Sequence, residues 1–404
     1  MKILFLSITV PFPATDGGRI RVLNLLTQVS KTDQITFLGL ETAPTDQEGI
    51  AYLESLGIAC HLVENQASPP KISLGTITKS LIQRKPITVA RYDISSYRRE
   101  LGQLIQLQNF DLIHYEMFHT AQFFAEVDLP KVLSTQNIDS YIWARLSEEA
   151  ENPAKKIVYL SQKRAFRRYE KLISPKFSIT TCVSEIDRNW LRKSCPDLQT
   201  DVIPNGVDLD LYQPSHDEII PDTLLYTGSM DWFPNEDAVI YCVNEILPVI
   251  RLKCPNVRFL IVGQHPTGNV RKLSDLPNIE VTGRVEDVKP YIAQAGVYVV
   301  PLRIGGGTRL KILEALAMQK AIVSTTVGAE GLNLVDRQEI VLADRPNQFA
   351  DSVIELLSDS ERRQKLGLKG RERVEQDYGW PSIGHKLRQV YQNLLQPKAQ
   401  QAND

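Results

Sequence analysis

The sequence predicts an α/β protein of two domains, each a doubly wound parallel sheet covered by helices, and three observations carry that prediction. Short apolar runs bounded by Gly, Pro, Asp or Ser alternate with helix-length stretches, the pattern of buried parallel strands in a βα repeat. The pattern occurs twice, with a segment rich in chain breakers between its halves. The length of 404 residues suits about two to three domains with full cores.

In chain order, the first half offers Ile3–Ile8, Ile35–Leu40, Cys60–Val63, Leu112–Tyr115, Val132–Ser134 and Ser178–Val183 as strands. The second offers Leu224–Thr227, Phe259–Val262, Ile279–Thr282, Val297–Pro301, Ile322–Thr325 and Ile340–Leu342. Between them, V-I-P-N-G-V-D-L-D-L-Y-Q-P-S-H-D carries Pro204, Asn205, Gly206 and Pro214, which break regular structure. This reading gives a first domain over 1–203, a linker over 204–221 and a second domain over 222–381. The last helix, about Ser382–Leu395, could return to the first domain, and the P-K-A-Q-Q-A-N-D tail reads as disordered. Two such domains create a cleft at the carboxyl ends of their strands, where doubly wound sheets bind ligands.

Composition narrows the function classes. Apolar residues at 43% and charged residues at 23% describe an ordinary soluble globular chain. A net charge of −2 gives no nucleic-acid footprint. Cys60, Cys182, Cys195, Cys242 and Cys254 show no C-x-x-C spacing, and their odd number argues against a disulfide framework, so a reducing cytoplasm is expected. The opening run K-I-L-F-L-S-I-T-V leads into P-F-P and reads as a first strand rather than a leader. No segment reaches the apolar length of a bilayer span.

The most informative stretch is V-V-P-L-R-I-G-G-G-T-R-L-K-I-L-E-A-L-A-M, Val299 to Met318. Leu310, Ile312, Leu313, Leu316 and Ala317 surround most of a helix, which is therefore expected to be buried nearly all round. Glu314 sits within it, and a carboxylate there needs a cation or a hydroxyl-bearing ligand. Gly305, Gly306 and Gly307 allow a ligand close to the backbone, and the helix start behind them offers unpaired N–H groups to phosphate. Arg309 and Lys311 add two charges. The bland alternative is a Lys311–Glu314 pair at i, i+3 on a structural helix behind a flexible turn.

Taken together, I-P-N-G-V-D, T-G-S-M-D-W, V-V-P-L, G-G-G-T-R-L-K-I-L-E-A and V-S-T-T-V-G-A-E-G-L resemble the retaining glycosyltransferases of the two-Rossmann GT-B class. More narrowly, they resemble its group 1 or family 4 branch, in a bacterial subgroup associated with exopolysaccharide. The likeness covers nearly the whole chain and is strongest from about Cys182 to Leu332. It implies that Glu314, the second glutamate of an E-x7-E motif, binds the ribose hydroxyls of a nucleoside-diphosphate sugar. The first glutamate of that motif is replaced by Gly306. The family's Arg and Lys after the first strand of the nucleotide domain are replaced by Ser229 and Asn235. The diphosphate charge is then expected to be met by Arg309, Lys311 and the amides of Gly305–Thr308, with Arg303 a weaker candidate. Were these substitutes lacking, the chain would be an inactive relative. Ser229 and Asp231 also fall on the donor side by this likeness, and Trp232 could contact the donor or be structural.

In the first domain, P-F-P-A-T-D-G-G-R-I-R-V makes a glycine turn before the first helix. The resemblance places Gly17 and Gly18 near donor phosphate and Arg19 near the acceptor; the alternative is a tight turn with Asp16 as helix cap. D-L-I-H-Y-E-M-F-H puts His114, Glu116 and His119 at or beyond a strand's carboxyl end. Glu116 or His119 suits a general-base or acceptor-binding role, the alternative being an ordinary surface residue, and His114 an acceptor contact. A metal site is not expected, because strand alternation separates neighbouring side chains and the resembling class generally needs none. Asn137, in S-T-Q-N-I-D-S, could bind acceptor or cap the next helix, and Ser184 and Glu185 in V-S-E-I-D lie in a motif near the cleft floor.

Lys155 to Lys171 interleaves basic clusters with Ile157, Leu160, Phe166 and Tyr169, which suits either a solvated helix face or peripheral contact with an anionic membrane. The expected activity is transfer of a hexose-type sugar, with retention and without a bound cofactor, to a glycan, lipid or small-molecule hydroxyl. The rival readings are a nucleotide-sugar 2-epimerase, which needs acid–base carboxylates that are scarce here, and an inactive binding scaffold. A dehydrogenase is disfavoured because no G-x-G-x-x-G follows the first strand.

Overall fold

The computed structural model describes residues 1–43, 45–64, 78, 80, 82, 85–150, 152–215, 219–305 and 307–396. The tail beyond residue 396 and Gly306 therefore lie outside the described residues. The chain divides into two compact units. Met1–Pro204 and the segment from Trp380 form the first, and Asn205–Gly379 the second.

The first unit holds a parallel sheet of β1 (Lys2–Leu6), β2 (Gln34–Leu40), β3 (Ala59–Val63), β4 (Leu112–Glu116), β5 (Lys131–Ser134), β6 (Ile179–Cys182) and β7 (Thr200–Val202). Their order across the sheet is β3-β2-β1-β4-β5-β6-β7. β1 through β6 follow the apolar runs of the sequence. β7 does not, because T-D-V is short, holds one apolar residue and lies at the sheet edge, where one side needs no partner. Leu4, Leu6 and Ile113 face one apolar layer, and Ile3, Phe5 and Leu112 the other. The second layer is closed by the helices Gly17–Val29 and Trp380–Leu395, through Val22, Leu26, Trp380, Ile383 and Leu387.

The second unit holds β8 (Thr223–Thr227), β9 (Arg258–Val262), β10 (Ile279–Gly283), β11 (Val297–Val300), β12 (Ile322–Ser324) and β13 (Val341–Leu342), all parallel, in the order β10-β9-β8-β11-β12-β13. All six coincide with apolar runs of the sequence, since strands buried on both faces read as continuous hydrophobic stretches. Asn205 to Gly379 includes the breaker-rich segment, and Val207, buried against the second core, bridges to Gly379.

Each sheet reverses its strand order once, between β1 and β4 in the first and between β8 and β11 in the second. At such a switch point the flanking connections leave in opposite directions and open a crevice above the strands' carboxyl ends. This rule singles out the loops after β1, β4, β8 and β11.

The returning helix makes a testable contact. A Cβ on Gly384 would stand 2.3 Å from Cβ of Gln28 in the helix Gly17–Val29. Helix propensity alone would make Gly384→Ala stabilising by about 1 kcal/mol. We expect the opposite, a loss of about 1–3 kcal/mol from overpacking, seen as a lower Tm in thermal denaturation. A raised Tm would mean that the two helices are not packed this closely.

Candidate active site

In the second unit, Gly228 follows β8 and Gly263 follows β9, and the two backbones almost touch. A Cβ on Gly263 would lie 1.7 Å from the Gly228 carbonyl oxygen, so a side chain cannot fit without moving the main chain. On its other side Gly228 is approached by Lys311 Nζ and Asn235 Nδ2, each 2.8 Å from where a Cβ would be. These glycines leave room for side chains arriving from elsewhere at the switch point.

The helix Leu310–Ala317 supplies them. It is not buried all round, as the apolar count suggested. Ile312, Leu313, Ala315, Leu316 and Ala317 are buried, while Leu310, Lys311 and Glu314 are half-buried. Lys311 and Glu314 lie three residues apart on one face. Among the described residues no direct ion pair joins them. Lys311 Nζ instead donates to Asn235 Oδ1 at 3.0 Å and sits 4.0 Å from the centroid of the Tyr226 ring. The same Asn235 oxygen accepts from the Tyr226 hydroxyl at 2.6 Å, and Asn235 Nδ2 donates to the Ser229 carbonyl at 2.8 Å. Burial pushes the Lys311 ammonium down to about 7, helped by the Arg309 charge and opposed by Glu314. Burial raises Glu314 above the usual carboxylate range. The Tyr212 hydroxyl, hydrogen-bonded to it, and Lys311 pull the other way.

Tyr212 carries no local sequence signal, standing in the breaker-rich segment. Arg371, from the helix Ser360–Asp377, fixes it: Nη1 donates to the Tyr212 carbonyl at 2.8 Å and to the Ala317 carbonyl at 2.6 Å, while Nε pairs with Glu375 at 2.6 Å. One guanidinium thus ties Tyr212 to the carboxyl end of the helix bearing Glu314. Such a link spans 159 residues and is invisible to motif reading.

The glycine turn after β11 takes the conformations that its composition allows. Gly305 has φ 136° and Gly307 φ 74°, and a Cβ on Gly305 would strike the Arg309 guanidinium, which folds over it. Thr308 Oγ1 is buried without a hydrogen-bond partner among the described residues. Arg303 is engaged elsewhere, bonded to Asp237 at 2.5 and 3.1 Å and stacked 4.5 Å from the Tyr241 centroid. After β8, Ser229 Oγ donates to Asp231 at 2.5 Å and holds that exposed carboxyl below its usual range. Trp232 is 59% exposed and so is not a structural core residue. Gly328, in the last motif, packs where a Cβ would meet Ser324 Oγ and the Val300 carbonyl, which explains its glycine.

In the first unit the residues after β1 and β4 are joined by hydrogen bonds. Asp16 caps the helix Gly17–Val29 by accepting from the Arg19 amide at 3.0 Å, and the Arg19 guanidinium folds back on Asp16 at 3.6 Å. A Cβ on Gly18 would lie 2.7 Å from Gln136 Oε1. Gln136 Nε2 donates to Glu116 Oε1 at 3.0 Å and reaches the Gly18 carbonyl at 3.4 Å. Glu116 Oε2 meets His114 Nε2 at 3.0 Å, and His114 Nδ1 meets the Tyr391 hydroxyl at 2.7 Å. Both His114 and Glu116 are fully buried. Burial lowers His114 below its ordinary value, which favours the neutral ring; Nε2–H donating to the carboxylate leaves Nδ1 to accept from the Tyr391 hydroxyl. Burial would raise Glu116, but the His114 hydrogen bond and the Arg21 guanidinium bring it below its ordinary value.

His119 stands apart from this network. It meets Tyr92 edge-on at 5.5 Å, its Nδ1 has no partner among the described residues, and burial with the Arg91 charge pushes it down to about 4. Asn137 is half-buried and does not cap the following helix, whose cap position is Ile138. Ser184 is a helix cap, accepting from the Asp187 amide at 3.1 Å, and Glu185 pairs with Arg188 at 2.5 Å. Among the described residues no group of three or more His, Cys, Asp or Glu is arranged to hold a metal ion. No described helix is long and apolar enough to cross a membrane.

Comparison with known proteins fits this geometry. A family model described as "Glycosyltransferase Family 4" matches residues 50–211, and one described as "Glycosyl transferases group 1" matches residues 221–359. An uncharacterized 44.6 kDa protein in the cps region of Klebsiella pneumoniae is 21% identical over 394 residues, covering 93% of this chain and 96% of that one. Among solved structures, sucrose-phosphate synthase from Thermosynechococcus elongatus superposes with a TM-score of 0.71 at 18% identity, over 98% of this chain and 99% of that one. Anabaena HepE in complex with UDP and glucose gives 0.68 at 15% identity, over 97% and 100%. With a family 4 domain in its first half, a group 1 domain in its second and two parallel-sheet units matching that fold, the chain is a glycosyltransferase of the GT-B class.

Proposed function

We propose that this glycosyltransferase moves a hexose-type sugar from a nucleoside diphosphate to a glycan, lipid or small-molecule hydroxyl, with retention of configuration and without a bound metal. The observation that carries this reading is the Lys311 ammonium, held beside Asn235 and Tyr226 and one helical turn from Glu314. Asn235 stands where the resembling family has a lysine, so the charge comes from the neighbouring helix instead. Glu314 accepts from the ribose hydroxyls. Lys311, Arg309, Thr308 and the amides of the glycine turn stabilise the diphosphate as it leaves.

In the proposed step the acceptor oxygen bonds to the anomeric carbon as that carbon's bond to diphosphate oxygen breaks. The acceptor proton passes to the departing diphosphate. Charge then grows on the leaving group, where a cation is worth most. The Glu116–Gln136–Gly18 bonds hold the start of the helix Gly17–Val29, which offers Gly17 and Gly18 to the donor and Arg19 to the acceptor. UDP is the first donor nucleotide to test, since HepE was solved with it.

Calorimetric titration with UDP, GDP, ADP and dTDP tests the donor assignment. We expect one diphosphate to bind, and Glu314→Gln to weaken it about 10- to 100-fold, the worth of a hydrogen bond to a charged group. Unchanged affinity in the variant removes Glu314 from the donor site. Turnover without acceptor that yields an epimerised nucleotide sugar would favour the epimerase instead, and nucleotide binding without turnover of any donor would favour a scaffold.

Lys311 gives a second prediction, with a sign. Its folded value near 7 lies below the ordinary 10.5, so the folded chain pays for desolvating the charge. That cost is fully present below pH 7 and fades as the pH rises toward 10.5. Lys311→Met should therefore raise Tm at neutral and lower pH, by about 1–2 kcal/mol of stability, and lose that advantage in alkali. It should also lower turnover about 100-fold, as loss of a charge-stabilising group does. A variant that is both less stable at neutral pH and fully active would show Lys311 to be structural.

A further inference from the structure

The helix Pro153–Ile173 begins at Pro153 with Asn152 as its cap, whose Oδ1 accepts from the Ala154 amide at 2.9 Å. Its inward side is set by Phe166, Tyr169 and Glu170, which are buried. Glu170, the only acidic residue in the helix, accepts from the Ser140 amide at 2.9 Å and the Ser140 hydroxyl at 2.5 Å. The outward side is therefore cationic. Ile157, Arg164, Arg168 and Lys171 follow one another at helical spacing along it, and all four are exposed.

Beside this strip lies a groove of about 580 Å³ between the helix and its neighbour Glu185–Ser194. Arg164, Arg167, Arg168, Lys171 and Lys193 line it, with Leu172. Among the described residues none of these five cations forms an ion pair; Arg167 donates only to Ser194 Oγ at 3.0 Å, and Lys193 lies 5.7 Å from the Trp190 ring centroid. No carboxylate lines the groove, Glu170 lying buried in the same helix within reach of Arg167, so five exposed cations gather there with little neutralisation and attract an anion.

Two features show what kind of anion. Leu172 is 61% exposed at the groove and Ile157 69% exposed further along the same helix, apolar side chains that a soluble phosphate ligand would leave in water. From Ile157 to Leu172 this outward face also extends over about 22 Å at the rise of an α-helix, longer than one small ligand can cover. We propose that this face docks on an anionic lipid bilayer, with headgroup phosphates in the Arg164–Lys193 groove and Ile157 and Leu172 entering the headgroup–acyl boundary. This proposal does not rest on the donor-site reading, since it uses residues of the first unit alone.

Co-sedimentation with vesicles tests it. The unmodified chain should bind vesicles of phosphatidylcholine mixed with phosphatidylglycerol, should not bind phosphatidylcholine alone, and should be released by sodium chloride. Each cation removed should weaken the partition about five-fold, so Arg164→Gln with Arg168→Gln should weaken it about 25-fold on the same scale. Leu172→Ser should weaken it without changing charge. Lys171→Gln with Lys193→Gln provides a second charge variant at exposed positions of the same groove should the first fail to fold. Failure to bind anionic vesicles, or binding indifferent to the variants, overturns the proposal. Release by inorganic phosphate at an ionic strength where sodium chloride has no effect also overturns it, by assigning the groove to a soluble phosphate ligand. Nucleotide binding is read in parallel on the same variants, so loss of vesicle binding alone is separate from any failure of the donor site.

Discussion

The second unit is organised around the Lys311 ammonium, which is held by an amide oxygen and an aromatic face in place of a carboxylate. Most buried cations in proteins are neutralised by an acidic neighbour. Here Asn235 offers one oxygen to two donors, Lys311 and Tyr226, and spends its own N–H on the Ser229 carbonyl. The local geometry is thus satisfied while the charge is not. Gly228 and Gly263 belong to the same constraint, because any side chain there would displace the groups that position the ammonium. Departures from ordinary local rules gather at sites where function outweighs stability.

The first unit solves a different problem. His114, Glu116, Gln136 and Tyr391 form a chain of hydrogen bonds in which each donor has an acceptor, with the Arg21 guanidinium nearby. A fully satisfied buried network rigidifies what it touches. It touches the backbone of Gly18, at the start of the helix after β1, and the end of β4. These elements flank the point where the strand order reverses, so the network braces the backbone there. Strand alternation puts His114 and Glu116 on one side of β4, which is why they meet each other.

Parallel strands buried on both faces announce themselves as apolar runs, and this is why the plan of both sheets was legible. β7 was not, since an edge strand such as T-D-V needs neither length nor an apolar face. The helix with Glu314 was placed correctly but misjudged in burial, because apolar residues counted around a wheel do not reveal which strip a neighbouring loop leaves open. Asn235 was noticed as a replaced position, yet its role became visible only when Lys311 was found against it. Tyr212, Arg371 and Tyr391 could not be found from local pattern at all. Each acts across the chain, and single-sequence periodicity reports only on neighbours in sequence.

The first unit is discontinuous, and this has a consequence for biosynthesis. The hydrogen bond between Tyr391 and His114 joins residues 277 positions apart, with the whole second unit encoded between them. A ribosome delivers the chain in order, and domains generally fold as units as they emerge. The segment Asn205–Gly379 can complete its sheet before release, whereas one apolar face of β1 and β4 must wait for Trp380, Ile383 and Leu387. Until then Ile3, Phe5 and Leu112 lack part of their cover. Strands made before the second unit are thus sealed after it, and that interval is when a nascent chain would most need a chaperone.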